Sequence, residues 1–176
     1  MLHLTINEQE LYDESKNIFY KTKKYNIALE HSLVSLSKWE SKYKKPFIKS
    51  EKKHHEILDY IIMMTITQNI PSYIYNALTE SDFKKITNYI QDPMTATTIA
   101  KSNSSNNEIV TAEVLYYYMI RFNIPFECQK WHLNRLLTLI NVCAAKENPV
   151  KRSHSDFIAE RNRLNQDRLR KLNTKG

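Results

Sequence analysis

Hydrophobic and polar residues alternate at two places near the start of the chain. Residues 2–6 and 25–29 both follow a period of two, which is typical of strands with one buried face. Between them, the polar stretch 13–17 has apolar residues on both sides, and this indicates a hairpin with a longer loop. Because two or three strands are marginally stable alone in water, we expect this small sheet to pack on the following helices or on a partner chain.

From residue 32 onward, apolar positions recur at spacings of three and four. The pattern predicts a short amphipathic helix between Ser32 and Pro46, with Ser32 or Ser35 capping its first turn. A second helix with a wide apolar face is expected to begin at Ser50 and to end near Pro71. The change of period therefore places helices directly after the strands.

Further helices are predicted along the second half of the chain. Residues 79–93 open with a capping-box pattern, Thr79 followed three residues later by Asp82, and end at Pro93. The polar stretch 100–108 is expected to be a loop. The other predicted helices cover residues 71–78, 108–123 and 124–143. One face of the helix at 108–123 is expected to consist of Ile109, Ala112, Leu115, Tyr116, Met119 and Ile120. The periodicities predict an α+β, mainly α-helical fold with a small N-terminal antiparallel β-hairpin or sheet packed on several helices.

Charge separates the end of the chain from the rest. Residues 149–176 hold eight basic and three acidic side chains, so five of the seven net positive charges lie there. We expect this tail to be helical or disordered and to order on a partner. The predicted organisation is a β-hairpin region at 1–31, a helical domain at 32–148 and a basic C-terminal tail at 149–176.

Composition excludes several classes of enzyme. Gly176 is the only glycine, so the chain cannot contain a P-loop, a dinucleotide-binding glycine fingerprint or a GxSxG nucleophile elbow. Cys128 and Cys143 form no CxxC pair. No apolar run reaches the length of a membrane span, and the N-terminus lacks the pattern of a signal peptide. We therefore expect a cytoplasmic, non-enzymatic protein that needs no cofactor and does not bind a membrane.

Two polar clusters could carry chemistry. Cys128 and His132 are four residues apart, so on one helix they could share a metal or form a thiolate–imidazole pair. A zinc site needs three or four ligands, and this stretch adds only Glu127. His54 and His55 lack the HExxH spacing that puts two imidazoles on one helical face. Both clusters fit better with ordinary helices, and the buried stripe expected at 124–143 is Leu133, Leu136, Leu137 and Ile140.

Nucleic-acid binding is a weaker alternative. The aromatic run at 116–122 could stack on bases and the basic tail could contact phosphates. Base-reading motifs are missing, however, and a helical stripe assigns part of the aromatic run to the core. Nonspecific contact through the tail is the form of this alternative that the sequence leaves open.

Several segments together resemble a family of small proteins from the tail-assembly modules of tailed bacteriophages, the tail assembly chaperones. The resemblance covers most of the chain and is carried by "EHSLVSLSKWESKYKKPFI" at 30–48, "ILDYIIMMTITQNI" at 57–70, "DPMTAT" at 92–97, "IPFECQKWHLNRLLTLINVC" at 124–143, and the basic tail with "ERNRLNQDRLRKLNTKG". It implies a helper in the cytoplasm of the infected host cell that binds the tape-measure protein, the tail-tube protein or other tail parts until the tube polymerises.

The predicted partner contacts are two tryptophans, a nearby arginine and four arginines of the tail. They are Trp39, Trp131, Arg135, Arg161, Arg163, Arg168 and Arg170. Self-association is a further option, and an alternative function is a structural subunit of the virion in its tail or neck. A virion subunit would be present in purified particles, whereas a chaperone would be absent from them.

Overall fold

Four strands form two small antiparallel sheets. Strand β1 (Leu2–Ile6) pairs with β4 (Tyr25–Leu29), and between them β2 (Glu10–Asp13) pairs with β3 (Ile18–Lys21) as a hairpin. The computed structural model describes residues 1–13, 17–97, 109–147, 158, 161–163 and 165–166. Both strands predicted from the alternation and the hairpin between them are confirmed.

The rest of the described chain is mainly helical. The helices are α1 (Leu33–Tyr43), α2 (His54–Met64), α3 (Glu80–Gln91), α4 (Ala112–Arg121) and α5 (Leu133–Glu147), with 3₁₀ segments at Ser72–Ala77 and Phe126–Lys130. This is the mainly helical α+β class that the periodicities predict. The chain divides into two units, Met1–Cys143 and Ala144–Gly176. In the second unit, the end of α5 and residues 161–163 are helical.

Local capping signals locate the starts of two helices. The Ser32 hydroxyl accepts the Ser35 amide before α1, and the Thr79 hydroxyl accepts the Asp82 amide before α3, so both caps are confirmed. The predicted cap of α2 at Ser50 is wrong. That helix begins after Lys53, whose amide donates to the Glu56 carboxylate at 2.8 Å. Glu56, the third residue of the helix, accepts the amide of the residue directly before the helix, whereas Ser50 lies three residues farther upstream.

Other predicted helices are shorter or tighter than expected. The helix at 108–123 is reduced to Ala112–Arg121 within the described residues, and the helix predicted at 71–78 is a 3₁₀ segment at Ser72–Ala77. The stretch 124–143 breaks before α5, because His132 forms an antiparallel bridge with Ser32. The Leu133 amide donates to the His31 carbonyl at 2.7 Å, so it cannot continue the preceding turn.

Buried apolar residues form two clusters that share α1. The first joins both strands of the β1–β4 sheet to α2, α3 and the 3₁₀ segment Ser72–Ala77, with Trp39 as its contribution from α1. The second joins Leu33 and Leu36 of α1 to α4, Phe126–Lys130 and α5. The N-terminal strands therefore rest on the helices, which supplies the support that a two-stranded sheet requires.

Residues other than glycine make the left-handed turns. Lys44 ends α1 at φ 56°, and its amide donates to the Glu40 carbonyl at 2.8 Å. The other described residues with positive φ are Asn17, Asn69, Met94 and Asn123. Asparagine tolerates this region better than other residues with a β-carbon, so three of the five follow the usual rule.

Candidate interaction surface

Trp39 lies in the core, which contradicts its predicted role as a partner contact. Its side chain is 0% exposed, its indole donates to the Glu56 carbonyl at 2.9 Å, and its ring meets Phe47 edge-on at 5.1 Å. The ammonium groups of Lys45 and Lys52 lie 5.5 Å and 5.7 Å from the ring centre. Trp39 therefore stabilises the packing of α1 on α2 and has no surface left for a partner.

Trp131 and Arg135 lie next to each other, as their spacing predicts. The Arg135 guanidinium stacks over the half-buried Trp131 ring at 4.0 Å from its centre, and Arg135 itself is exposed. A guanidinium on an indole face is an aromatic and cationic pair that a protein partner could contact. Their role in binding remains a prediction.

The tail arginines are described only in part. Arg161 and Arg163 are exposed within the helical residues 161–163. Arg168 and Arg170 lie outside the described residues. The contribution of this basic tail to binding therefore remains a prediction from charge alone.

Cys128 and His132 do not share a helical face. Cys128 belongs to the 3₁₀ segment and is buried in the second cluster, whereas His132 precedes α5. Burial and the nearby Glu127 raise the pKa of the Cys128 thiol, so it stays protonated at neutral pH. Across the described ranges, no three His, Cys, Asp or Glu side chains are grouped to hold a metal.

In the same ranges, no helix has the length and apolar character needed to cross a bilayer.

The outer face of the β2–β3 hairpin carries an exposed aromatic pair. Tyr12 and Phe19 are directly opposite each other in the register, with ring centres 4.8 Å apart. Their side chains are 47% and 70% exposed, whereas Ile18, 50% exposed, lies on the opposite face because it directly precedes Phe19 in the strand. Large apolar side chains in this number on one short hairpin form an uncovered apolar surface. We call Tyr12 and Phe19 the hairpin surface.

The base of the hairpin is fixed to the helical body. The Gln9 side-chain amide donates to the Ala77 carbonyl at 3.1 Å. Across the hairpin base, the Gln9 backbone amide donates to the Thr22 hydroxyl at 2.9 Å and the Thr22 amide donates to the Gln9 carbonyl at 2.8 Å. Tyr20, on the inner face, meets Tyr73 edge-on at 5.5 Å. These contacts fix the position of the hairpin on the helices, so the hairpin surface has a defined orientation.

Neither hairpin strand has a second neighbour among the described residues. Strands β2 and β3 form a two-stranded sheet of their own, separate from β1 and β4. Each strand therefore has one edge whose amides and carbonyls are not used by the hairpin ladder. Such edges are templates on which another extended chain can pair.

A second exposed apolar surface lies on α4 and the following 3₁₀ segment. Tyr117, Ile120 and Phe126 are each more than half exposed, and Tyr116 lies 6.5 Å from Phe126 between their ring centres. Ile109 and Ile120, predicted to share one face with Ala112, Leu115 and Met119, are both more than half exposed, and Ile109 lies before the start of α4. The helical turns bury Ala112, Leu115 and Met119 instead. This surface has no free strand edge, so it offers side-chain contacts only.

The sequence contained a signal for the hairpin surface that periodicity alone did not use. A strand with one buried face has polar residues at alternate positions, yet both Leu11 and Tyr12 of β2, and both Phe19 and Tyr20 of β3, are apolar or aromatic. One member of each pair must then face away from the core. A hairpin with apolar residues on both faces can bury only one face on the helices, so this sequence pattern indicates that the other face is exposed.

Comparisons of the chain with known protein families, with curated proteins and with solved structures find no match. The resemblance to tail assembly chaperones therefore stays a prediction from the sequence segments that carry it.

Proposed function

We propose that this protein is a non-enzymatic assembly factor that binds an extended segment of a partner protein on its β2–β3 hairpin. The observation that carries the proposal is the exposed Tyr12–Phe19 pair on a hairpin whose strands have no further strand neighbour among the described residues. We further propose that the partner is a phage tail protein, the tape-measure or tail-tube protein, and this part rests on the sequence resemblance.

Strand addition suits the hairpin for a physical reason. An extended partner segment would satisfy backbone amides and carbonyls along the edge of β2 or β3, which gives affinity with little dependence on sequence. Covering Tyr12 and Phe19 would add apolar burial, worth about 1.5–3 kcal/mol for each side chain that becomes fully buried. A chaperone needs this combination, because it must hold aggregation-prone segments without reading one strict sequence.

Charged residues outside the apolar pair also support a role in binding a partner protein. The chain has a net charge of +7, and the register pairs Glu10 with Lys21 at the base of the hairpin beside the aromatic pair. Charged residues around an apolar centre favour correct encounter and reduce nonspecific aggregation. Such a surface can bind a client and still stay in solution between clients.

The test compares two apolar surfaces of the same protein. A tagged full-length chain is co-expressed with the tape-measure protein of the same genome, and the amount of that protein recovered per mole of tagged chain is measured. Tyr12→Ser with Phe19→Ser should reduce recovery at least about tenfold. The control, Tyr117→Ser with Ile120→Ser on α4, should leave recovery within about twofold.

The outcomes separate the hairpin from the general apolar character of the surface. Equal losses in both double variants would mean that binding does not depend on the hairpin. No loss in either would remove the hairpin surface from the proposal. Thermal unfolding of each variant, followed by circular dichroism, shows whether lost recovery reflects lost binding or lost folding.

A second measurement distinguishes a helper from a component of the particle. Quantitative mass spectrometry of infected-cell lysate and of purified particles should find the protein with tail proteins in lysate and at far below one copy per particle. A fixed copy number in purified particles would instead support the structural subunit of the tail or neck.

A further inference from the structure

Two histidines lie side by side in the interior, where separate parts of the chain meet. His31 lies in the connection between β4 and α1, and His132 immediately precedes α5. Both are buried, at 3% and 6% exposure, and their ring centres are 5.1 Å apart in an edge-to-face arrangement. The Ser32–His132 bridge and the bond from the Leu133 amide to the His31 carbonyl join the two backbones. The imidazoles therefore lie at the junction that holds the start of α5.

The contacts of His132 require a neutral ring. Its Nδ1 accepts the Asn134 amide at 3.3 Å, and its Nε2 lies 2.9 Å from the Tyr89 carbonyl, to which it must donate. The imidazole thus acts as the N-terminal cap of α5, and the Leu136 amide bonds to the His132 carbonyl. A proton on Nδ1 would face the Asn134 N–H donor and remove the cap.

His31 is equally enclosed. Its Nδ1 lies 2.6 Å from the Tyr60 hydroxyl of α2, and the rings of Tyr60 and Phe47 surround it at 5.8 Å and 6.4 Å between ring centres. The ring of Tyr89 from α3 packs edge-on against His132 at 4.9 Å. Aromatic side chains thus replace water around both imidazoles.

The carboxylates that face this site are already engaged elsewhere. Glu30 accepts the Tyr89 hydroxyl and pairs with the amino group of Met1. Both oxygens of Glu40 accept backbone amides, and Asp92 accepts the Met94 amide. Glu30 and Asp92 favour a positive His132 and the Met1 ammonium disfavours it, but burial of the ring is the largest influence and keeps the neutral form favoured. Each of these described carboxylates therefore already has another hydrogen-bond partner.

We propose that His31 and His132 form an acid-sensitive latch, which holds the start of α5 against α3 and the β4–α1 connection while both rings are neutral and opens when they are protonated. Opening would withdraw Leu133 and Leu136 from the second cluster and expose the apolar stripe of α5. This inference concerns the stability of the helical body and does not depend on the function proposed for the hairpin.

The direction of the pH effect follows from the two protonation equilibria. Burial, together with His132, lowers the pKa of His31 to about 3, and burial lowers the pKa of His132 as well. In the unfolded chain both rings return to their ordinary value near 6.5. The unfolded chain therefore binds more protons below that value, and the latch is lost as pH falls from about 6.5 towards 3.

Urea unfolding of the full chain at pH 7.5 and pH 5.0 tests the latch. Most carboxylates stay ionised across this interval, so histidine protonation dominates the change. The unfolding equilibrium constant should rise by about 30-fold or more on acidification, which is what one imidazole with such a lowered pKa contributes. A rise below about threefold would overturn the proposal.

A matched pair of double variants assigns the effect to the two rings. His31→Gln with His132→Asn removes both protonation sites, and the asparagine oxygen can still accept the Asn134 amide in place of Nδ1, although its shorter side chain gives up the bond to the Tyr89 carbonyl. The control, His3→Gln with His54→Asn, makes the same two changes at exposed positions. The rise should disappear in the first variant and persist in the control. If it persists in both, the latch is not at His31 and His132.

Proton NMR of the unmodified protein decides the matter if the first variant does not fold. The chain has six histidines, each with one resolvable Cε1–H resonance. Two of them should keep a constant shift in the folded protein from pH 7.5 to 5.0. If all six titrate within the folded protein with similar midpoints, the two rings are not held neutral and the proposal fails.

Discussion

Glu40 on α1 accepts a hydrogen bond from the amide of Ala112, the first residue of α4, at 2.7 Å. Its second oxygen accepts the Phe47 amide, also at 2.7 Å, and the side chain is buried. One carboxylate thus satisfies an amide at the start of α4 and another in the loop that follows α1. Helix starts leave amides without partners, and here the acceptor comes from a different helix.

Glu40→Gln should destabilise the protein by about 1–3 kcal/mol, because the glutamine NH₂ group would face one of two buried backbone amides. Urea unfolding measures the change. Glu8→Gln makes the same substitution at an exposed position and should change the free energy of unfolding by less than about 0.5 kcal/mol. Equal effects of the two substitutions would contradict the bridging role of Glu40.

Thr79→Ala should cost about 1 kcal/mol of stability, because it removes the acceptor for the Asp82 amide at the start of α3. The matched control is Thr87→Ala, at an exposed position within the same helix. Alanine favours the helix interior over threonine, so the control should be neutral or slightly stabilising. Thermal unfolding should show a loss of stability for Thr79→Ala and none for Thr87→Ala, and equal losses in the two variants would show that the cap is unimportant.

Trp39→Phe should lower the free energy of unfolding by about 1–3 kcal/mol, because it leaves the Glu56 carbonyl without its donor and creates a gap against Phe47. Trp131→Phe keeps a half-buried aromatic ring beside Arg135 and should cost less than about 1 kcal/mol. Urea unfolding followed by circular dichroism compares them. A larger loss for Trp131 would reverse the assignment of Trp39 as the structural tryptophan.

Replacing Arg161, Arg163, Arg168 and Arg170 with alanine should weaken partner binding, most strongly at low salt, without a shift of the thermal midpoint. The control removes four exposed lysines of the body, Lys23, Lys24, Lys38 and Lys84, and so lowers the net charge equally. Pull-down of the tape-measure protein at low and moderate salt compares the two. Equal weakening would mean that net charge matters and the position of the arginines does not.

Local signals in the sequence predicted much of the fold. The alternation at β1 and β4 and the caps at Ser32 and Thr79 act over a few residues, so their structural outcome can be read from the neighbouring sequence. The break before α5 could not be read in this way. It depends on His132 pairing with Ser32, a contact between residues far apart in the chain.

For the candidate site too, the neighbouring sequence predicts some features, whereas others depend on contacts between distant parts of the chain. Trp39 and Trp131 both occupy plausible margins of amphipathic patterns, and only the packing of α1 on α2 decides that Trp39 is enclosed. The free edges of the hairpin depend on the absence of a third strand beside it within the described chain. The number of strands in a sheet is a property of the whole fold, so local patterns do not determine it.

The second core cluster also sets an order of events during protein synthesis. Leu33 and Leu36 are buried in one cluster with Leu133 and Leu136, which are made roughly one hundred residues later in the chain. At a translation rate of about 5–20 residues per second, the early leucines wait about 5–20 seconds for their partners to be made. During that interval the nascent chain can bury the first cluster while the other side of α1 stays open. If the ribosome stalled before residue 133, Leu33 and Leu36 of α1 would lack these partners, and their exposed apolar side chains could be bound by a chaperone of the cell.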